Sequence, residues 1–207
     1  MRGLYAITPD VSDSAALLAK VEQVLAGGAR VVQYRNKTAA PELRREQARG
    51  LKNLCDTQGA LLIVNDHVDL AMEDDAGGVH LGADDADLAQ ARAALGTGKL
   101  IGVSCYNRLE LARAAVAQGA DYVAFGSVFP SRVKPDAVHA PLSLIAAARR
   151  ELSVPLIAIG GITLENAACV IDAGADMIAV ISALFDVPEV STAARAYDAL
   201  FTRRNPS

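Results

Sequence analysis

The feature that most constrains this fold is a regular order of short apolar runs and Ala- and Leu-rich segments with helical spacing. A Gly, usually followed by Ala, ends several of the helical segments just before an apolar run: Gly28-Ala29, Gly59-Ala60, Gly77-Gly78, Gly119-Ala120 and Gly174-Ala175. Gly readily takes the left-handed conformation that ends a helix. The pattern therefore predicts a repeated unit of strand, helix, glycine stop and strand.

Counting these units gives eight strands and a helix between most of them. The predicted strands are residues 4–8, 31–35, 61–65, 79–82, 100–104, 122–126, 155–160 and 177–181. The predicted helices are residues 15–26, 41–58, 67–72, 87–95, 108–118, 142–151, 164–173 and 189–203. Eight parallel strands alternating with helices predict an α/β chain that forms a single (β/α)8 TIM barrel over residues 1–207.

The alternative fold is an open, doubly wound parallel sheet. In that fold a glycine-rich turn commonly opens the helix after the first strand and binds a dinucleotide. Here the first predicted strand is followed by Thr8-Pro9-Asp10. The barrel is therefore favoured, and no linker or change of composition divides the chain into two domains.

Composition excludes several classes of partner. The net charge is -4 and no run of Lys and Arg is present, which argues against nucleic acid as a general partner. No apolar run approaches the roughly 20 residues that a membrane-spanning helix needs, and no signal-peptide pattern is visible. Cys55, Cys105 and Cys169 are odd in number and form no CxxC. We expect reduced thiols in a cytoplasmic protein, without a membrane partner and with a homo-oligomer left open.

Three long polar side chains alternate along the end of the second predicted strand. Gln33, Arg35 and Lys37 are two residues apart, so in an extended chain they point to the same side. In a parallel sheet covered by helices, that side must look into a cavity. An Arg fork and a Lys charge bind phosphate oxygens, and an amide can bind a neutral ring. The pattern indicates an anionic ligand, with a solvated edge strand as the alternative.

A barrel carries its chemistry at the carboxyl ends of its strands. Polar residues or glycines follow the predicted strands at Thr8, Asn65, Asp66, Asp84, Asp85, Ser104, Ser127, Ser131, Lys134, Gly160, Gly161 and Ser182. Asp66 and Asp85 are candidate Mg²⁺ ligands, because Mg²⁺ is usually held by one or two carboxylates together with waters and substrate phosphates. A solvated loop acid is the alternative and suits Asp84. By contrast, Asp121 and Asp176 precede their strands, which predicts a structural role.

The ends of strands seven and eight suggest a phosphate site. Gly160-Gly161 allows backbone N–H groups to approach an anion, and Ile181-Ser182 opens a second turn beside it. A simple tight turn is the alternative for Gly160-Gly161. His80, within an apolar strand, is predicted to be a hydrogen-bonded core residue. No Ser/His/Asp elbow is visible, so acyl transfer is not expected.

These motifs, in this order, resemble the thiamine phosphate synthase (thiamine-phosphate pyrophosphorylase) family over essentially the whole chain. The matching segments are residues 5–8, 33–37, 65–66, 78–82, 125–134, 158–162 and 181–182. The resemblance implies a transferase that condenses 4-amino-2-methyl-5-(diphosphooxymethyl)pyrimidine with a thiazole phosphate, either as such or as its carboxylate form. Thiamine monophosphate and pyrophosphate would form by a dissociative, Mg²⁺-assisted substitution.

The resemblance also implies roles for individual residues. The residues implied in catalysis are Arg35, Lys37 and Lys134. Those implied in binding the pyrimidine pyrophosphate are Gln33, Tyr34, Arg35, Asn36, Lys37, Asn65, Ser104 and Lys134. Those implied in binding the thiazole phosphate are Ser131, Arg132, Val133, Gly161, Ile181 and Ser182. Asp66 and Asp85 would hold Mg²⁺.

The chain departs from the usual family pattern at Ala83, Ser131, Val133 and Tyr106. Ala83 and Val133 remove polar groups that could contact substrate. Tyr106 bears on a related activity, because the thiazole tautomerases of this fold are expected to have a His in that segment. The sequence leaves two alternatives to the synthase: a tautomerase-like isomerase, and a non-catalytic sensor of a phosphorylated ligand.

Overall fold

A computed structural model describes residues 1–82, 88–130 and 138–202, and its strands form a closed, all-parallel barrel. The strands are β1 (Gly3–Ile7), β2 (Val31–Tyr34), β3 (Leu61–Asn65), β4 (Gly78–Leu81), β5 (Leu100–Ser104), β6 (Tyr122–Phe125), β7 (Leu156–Ile159) and β8 (Met177–Val180). They pair in sequence order, and β1 closes the barrel against β8 with Tyr5 opposite Ala179. The predicted (β/α)8 barrel is confirmed.

The helices of the described residues surround this barrel. They are α1 (Ser14–Ala26), α2 (Pro41–Thr57), α3 (Val68–Glu73), α4 (Leu88–Leu95), α5 (Leu109–Ala117), α6 (Leu142–Glu151), α7 (Ala167–Asp172), α8 (Ser182–Phe185) and α9 (Val190–Thr202). Helix α1 begins where Asp13 accepts a hydrogen bond from the Ala16 amide at 3.0 Å, and α2 has Pro41 in its first turn. Within the described residues, no helix is long and apolar enough to cross a membrane.

Both faces of each strand are buried. Because side chains alternate along a strand, the core has two parts, one inside the barrel and one between the barrel and the surrounding helices. In β1, Tyr5 and Ile7 point into the barrel, whereas Leu4 and Ala6 pack against the surrounding helices. The inner part of the core also contains Tyr122 from β6. If the alternation continues past the end of a strand, the side chains that point to the inside are directed into the mouth of the barrel.

The predicted glycine stops are confirmed at four positions and wrong at one. Gly28, Gly59, Gly119 and Gly174 have positive φ values, as expected. In the segment after α3, the left-handed residue is Asp75 (φ 50°) and not Gly77. Asp is one of the few other residues that visit this conformation. The neighbouring Gly78 serves a different purpose, since a Cβ there would lie 2.0 Å from the Leu100 carbonyl oxygen.

Two aspartates fasten the amino ends of neighbouring strands, as the sequence predicted. Asp121 Oδ2 accepts hydrogen bonds from the Ile101 amide at 2.7 Å and from Arg92 at 2.5 Å. Asp176 Oδ2 accepts from the Leu156 amide at 2.8 Å and from Arg149 at 2.7 Å. Each carboxylate joins the start of one strand to its neighbour, far from the carboxyl-end mouth.

We expect Asp176→Ala to lower the free energy of unfolding by about 1–3 kcal/mol, because the Leu156 amide and Arg149 lose their shared acceptor. Urea unfolding followed by circular dichroism measures the change. Glu151→Ala is the control, because its ion pair with Arg113 is exposed and such pairs contribute about 0–1 kcal/mol. Equal destabilisation by both changes would contradict the structural role of Asp176.

Candidate active site

A cavity of about 760 Å³ opens at the carboxyl ends of the strands. Gln33, Arg35 and Lys37 all line it, which confirms that the three side chains share the inward face of the β2 segment. Gln33 lies deep in the barrel and is 3% exposed, whereas the Lys37 side chain is 50% exposed at the rim. The cavity therefore passes from an uncharged interior to a charged rim.

Tyr34 and Asn36 occupy the opposite face of the same segment, and neither side chain lines this cavity. The Tyr34 hydroxyl donates to Gln47 Oε1 at 2.9 Å, and the Asn36 amide donates to Gln47 Oε1 at 3.1 Å and to the Val11 carbonyl at 2.8 Å. Both side chains border a separate pocket of about 450 Å³. Strand alternation turns these two side chains toward α2, but their pocket is also lined by Lys37, Asn65 and Asp66, so their predicted role in binding the pyrimidine pyrophosphate stays a prediction.

The loop after β1 holds the loop after β2 in place. Asp10 accepts from Arg35 Nη1 through both carboxylate oxygens, at 3.2 and 3.1 Å, and from the Lys37 amide at 2.8 Å. Buried Thr8 accepts from the Arg35 amide at 2.9 Å and donates to the Arg35 carbonyl at 3.0 Å. Thr8 was predicted at the rim from the sequence, but Asp10 was not. The one hint for Asp10 was that it lies two residues after Thr8 in the same loop.

Asp66 is held in an uncommon backbone conformation at the end of β3. Its φ is 61°, and its amide donates to the His80 carbonyl at 2.9 Å. Its carboxylate accepts from the Asn65 side chain at 2.6 Å and from the Gly82 amide at 3.3 Å, and it lies 3.9 Å from Lys37 Nζ. Such left-handed residues cluster at functional sites. The cavity wall thus presents a fixed carboxylate beside a lysine.

The oxygen donors here suit Mg²⁺ better than a transition metal. Asp66 contributes a carboxylate to the cavity lining, and residues 1–82, 88–130 and 138–202 contain no cluster of three His, Cys, Asp or Glu side chains that could hold a metal ion. Mg²⁺ needs few protein ligands, because waters and substrate phosphates complete its octahedron. Asp66 therefore fits the predicted role, whereas Asp85, the second predicted ligand, lies outside the described residues.

The turns after β7 and β8 form the opposite wall of the mouth. Gly160 and Gly161 have φ values of 101° and 61°, and a Cβ on Gly161 would lie 2.3 Å from the Pro130 carbonyl oxygen. Only glycine fits such a position, which lets the backbone line the cavity directly. Ile181 and Ser182 line the cavity beside this turn, and Ser182 begins α8. The two predicted phosphate-binding turns lie together.

A chain of hydrogen bonds crosses the inside of the barrel. Gln33 Nε2 donates to Tyr5 Oη at 2.9 Å, and Tyr5 Oη lies 2.9 Å from Tyr122 Oη. His80 follows, with Nδ1 3.2 Å from Tyr122 Oη and Nε2 2.9 Å from Ser104 Oγ. The prediction that His80 is a hydrogen-bonded core residue is confirmed, and His80 also lines the cavity. Tyr5 lies in one of the segments that resemble the family, but its contact with Tyr122 had no local signal in the sequence.

Burial keeps the three titratable side chains in this series of hydrogen bonds, Tyr5, Tyr122 and His80, uncharged. Loss of solvation lowers the pKa of His80 to about 4, so its ring is neutral at neutral pH. The same cause raises the pKa values of Tyr5 and Tyr122 well above their usual range. The interior of the cavity therefore offers neutral donors and acceptors, while charge is confined to its rim.

The structure brings most of the described predicted site residues around one opening. The residues that line it are Gln33, Arg35, Lys37, Asn65, Asp66, Ser104, Gly161, Ile181 and Ser182. The others predicted for the mouth, Asp85, Ser131, Arg132, Val133 and Lys134, lie outside the described residues, as does Ala83. Cations and a carboxylate after β2 and β3, with glycine and serine turns after β7 and β8, are typical of an enzyme of the TIM-barrel class, in which such turns frequently bind phosphate.

Comparison with known proteins identifies the family within this class. Residues 4–184 match the model of the thiamine monophosphate synthase family. The chain is 55% identical over 201 residues to the thiamine-phosphate synthase of Aromatoleum aromaticum, covering 97% of both chains. It is 54% identical over 202 residues to that of Thioalkalivibrio sulfidiphilus, covering 97% of this chain and 96% of the relative.

A solved structure agrees with these matches. The thiamine phosphate pyrophosphorylase of Pyrococcus furiosus is 35% identical and superposes with a TM-score of 0.87, covering 97% of this chain and 96% of the other. The chain belongs to the thiamine monophosphate synthase family. It is accordingly an enzyme of the transferase class.

Proposed function

We propose that the enzyme joins 4-amino-2-methyl-5-(diphosphooxymethyl)pyrimidine to a thiazole phosphate and releases pyrophosphate. The observation that carries the proposal is the opening of two anion-binding regions onto one cavity. Arg35 and Lys37 lie on one side of that cavity, and Gly161 and Ser182 line it from the turns after β7 and β8. Two phosphorylated substrates can thus be held with their reacting ends between the regions. The thiazole substrate is either the phosphate itself or its carboxylate form.

The first step of the proposed reaction breaks the bond between the methylene carbon and the pyrophosphate oxygen. The electron pair leaves with pyrophosphate, and the electron-rich aminopyrimidine stabilises the cation that remains. Lys37, at the rim, and Arg35, held by Asp10, are placed to stabilise the departing negative charge. When bound, Mg²⁺ supplies further neutralisation of that charge, and Asp66 and Asp85 are the residues proposed to hold it.

The second step forms a bond between the thiazole nitrogen and the pyrimidine methylene carbon. The nitrogen supplies its lone pair, so no proton has to be removed before attack. This agrees with His80, whose two ring nitrogens both lie within hydrogen-bonding distance of hydroxyl groups. Binding in one cavity converts the encounter of two substrates into a step between neighbours. The products are thiamine monophosphate and free pyrophosphate, and the carboxylate form of the thiazole would in addition lose its carboxylate as CO₂.

A direct assay tests this proposal and separates it from the two alternatives. The purified chain is mixed with both substrates and Mg²⁺, and pyrophosphate and thiamine monophosphate are measured over time. We expect both products in equal amounts, and we expect EDTA to stop their formation. Conversion of the thiazole compound alone without Mg²⁺ would instead indicate an isomerase. Calorimetric binding without any product would indicate a sensor.

A further inference from the structure

The pocket of about 450 Å³ adjoins the active-site cavity, and Lys37, Asn65 and Asp66 border both spaces. We propose that this side pocket binds the pyrophosphate that the reaction releases, and that Arg44 is the residue that holds it there. The described residues that line the side pocket are Tyr34, Asn36, Lys37, Arg44, Asn65, Asp66 and His67. The proposal rests on the proposed function and deepens it, because it gives the leaving group a place of its own.

The lining of the side pocket comes from one part of the chain. All of its described residues lie between positions 34 and 67, in β2, α2, β3 and the loops that follow the two strands. By contrast, Gly161 and Ser182, after β7 and β8, border the main cavity and not the side pocket. A pyrophosphate in the side pocket therefore does not occupy the region proposed for the thiazole phosphate.

The side pocket suits an anion. The Tyr34 hydroxyl and the Asn36 amide already donate hydrogen bonds within the protein, so these two side chains form a neutral wall. Lys37 and Arg44 bring two positive charges to the lining, against one negative charge from Asp66. Lys and Arg are the side chains that bind phosphate oxygens by charge-assisted hydrogen bonds. The charge of the pocket therefore matches a phosphorylated ligand.

Helix α2 carries three arginines, and two of them are neutralised by ion pairs. Arg45 Nε lies 3.0 Å from Glu73, and Arg49 Nε lies 3.4 Å from Asp74. Neither of these arginines borders the side pocket or the main cavity. The third, Arg44, lines the side pocket and forms no ion pair with any residue that the structure describes. Its charge is thus left for a ligand.

A hydrogen bond within the protein fixes Arg44 at the pocket. Its Nη2 donates to the Ala39 carbonyl at 2.9 Å, just before α2 begins. Its Nε is buried and has no hydrogen-bond partner among residues 1–82, 88–130 and 138–202. A guanidinium that is already oriented but not neutralised binds a phosphate group at a lower entropy cost than a mobile side chain does. Arg44 is therefore prepared to receive an anion.

Lys37 connects the two spaces. Because it borders both, pyrophosphate can stay in contact with the Lys37 ammonium while it moves away from the reacting carbon and toward Arg44. This movement separates the leaving group from the pyrimidine cation, so the broken bond is less able to form again. It also allows pyrophosphate to depart while thiamine monophosphate still occupies the main cavity. Release of product is a step that commonly limits turnover.

Arg44→Gln tests the proposal, because it removes the charge and keeps much of the length of the side chain. The measurement is the Kd of pyrophosphate in the presence of Mg²⁺, by isothermal titration calorimetry. We expect the Kd to rise about tenfold or more, the usual loss when one charge-assisted hydrogen bond is removed. Arg45→Gln is the matched control, since it removes the same charge from the next residue of α2, outside both spaces. It should leave the Kd within about twofold, as expected for a substitution that does not touch the site.

Two further measurements separate ligand binding from a structural role of Arg44. Arg44→Lys keeps the positive charge, so it should bind pyrophosphate at least about threefold more tightly than Arg44→Gln does. The KM for the thiazole phosphate should stay within about twofold of the wild-type value in both variants. Three results would each overturn the proposal: equal Kd values for Arg44→Gln and Arg45→Gln, a Lys variant that binds no better than the Gln variant, or a thiazole KM that rises as much as the Kd. Failure of the proposed function is distinguishable, because the Kd is measured without turnover, whereas an enzyme without the proposed activity would release no pyrophosphate from its substrates.

Discussion

Lys37→Ala is expected to lower kcat by about 10²-fold or more, the usual effect of removing one preorganised group that stabilises developing charge. Lys37 lines the active-site cavity, and its ammonium lies 3.9 Å from the Asp66 carboxylate at the cavity rim. There it can stabilise the negative charge of a departing pyrophosphate, which is larger in the transition state than in the bound substrate. Pyrophosphate release at saturating concentrations of both substrates measures the effect.

Lys52→Ala is the matched control for this prediction. Lys52 lies on α2 and forms a surface ion pair with Asp56, one helical turn away, at 2.5 Å. Its removal deletes the same charge from the same chain without touching the cavity. We expect kcat to stay at the wild-type value. A Lys37→Ala variant with an equally unchanged kcat would show that Lys37 is only a solvated surface charge.

Asp66→Asn is expected to lower activity by about 10²-fold or more, since a catalytic metal ion commonly contributes several kcal/mol of charge stabilisation. We also expect the Mg²⁺ concentration for half-maximal activity to rise at least about tenfold, because a neutral amide replaces an anionic ligand. Asn is suited to the left-handed conformation that Asp66 adopts at φ 61°, so the backbone should remain in place. Titration of activity with Mg²⁺ measures both effects.

The control for this substitution is Asp75→Asn. Asp75 has a left-handed backbone conformation as well, with φ 50°, and it pairs with Lys99 outside the active-site cavity. The same chemical change is thus made in the same conformation without altering the cavity. We expect a normal response to Mg²⁺. An identical response in Asp66→Asn would exclude Asp66 as a metal ligand.

Most of the fold could be predicted from local sequence patterns. The eight apolar runs predicted the eight strands because a strand buried on both faces reads as a continuous apolar segment. Helix α8 was not predicted, because four residues from Ser182 to Phe185 are too short to show a helical period. The stop predicted at Gly77 failed for a related reason, since Asp75 supplies the same conformation without being glycine.

The active site could be predicted where a local rule decides it, either alternation along one strand or position at the carboxyl end of a strand. Gln33, Arg35 and Lys37 share a face in any extended chain, and the structure places all three in the cavity. Contacts between distant residues have no such local signal. The Tyr5–Tyr122 hydrogen bond joins residues 117 positions apart and exists only because the barrel closes.

The ion pair in which both carboxylate oxygens of Asp10 accept from Arg35 affects the free energy of ligand binding. A free arginine side chain loses rotamer entropy when a ligand immobilises it, and this loss opposes binding. In this enzyme the loss occurs during folding, because Asp10 already orients the guanidinium. Asp10 also offsets part of the positive charge at the rim, which moderates affinity for a free anion. In the proposed reaction, this partial neutralisation would ease the departure of pyrophosphate from the site.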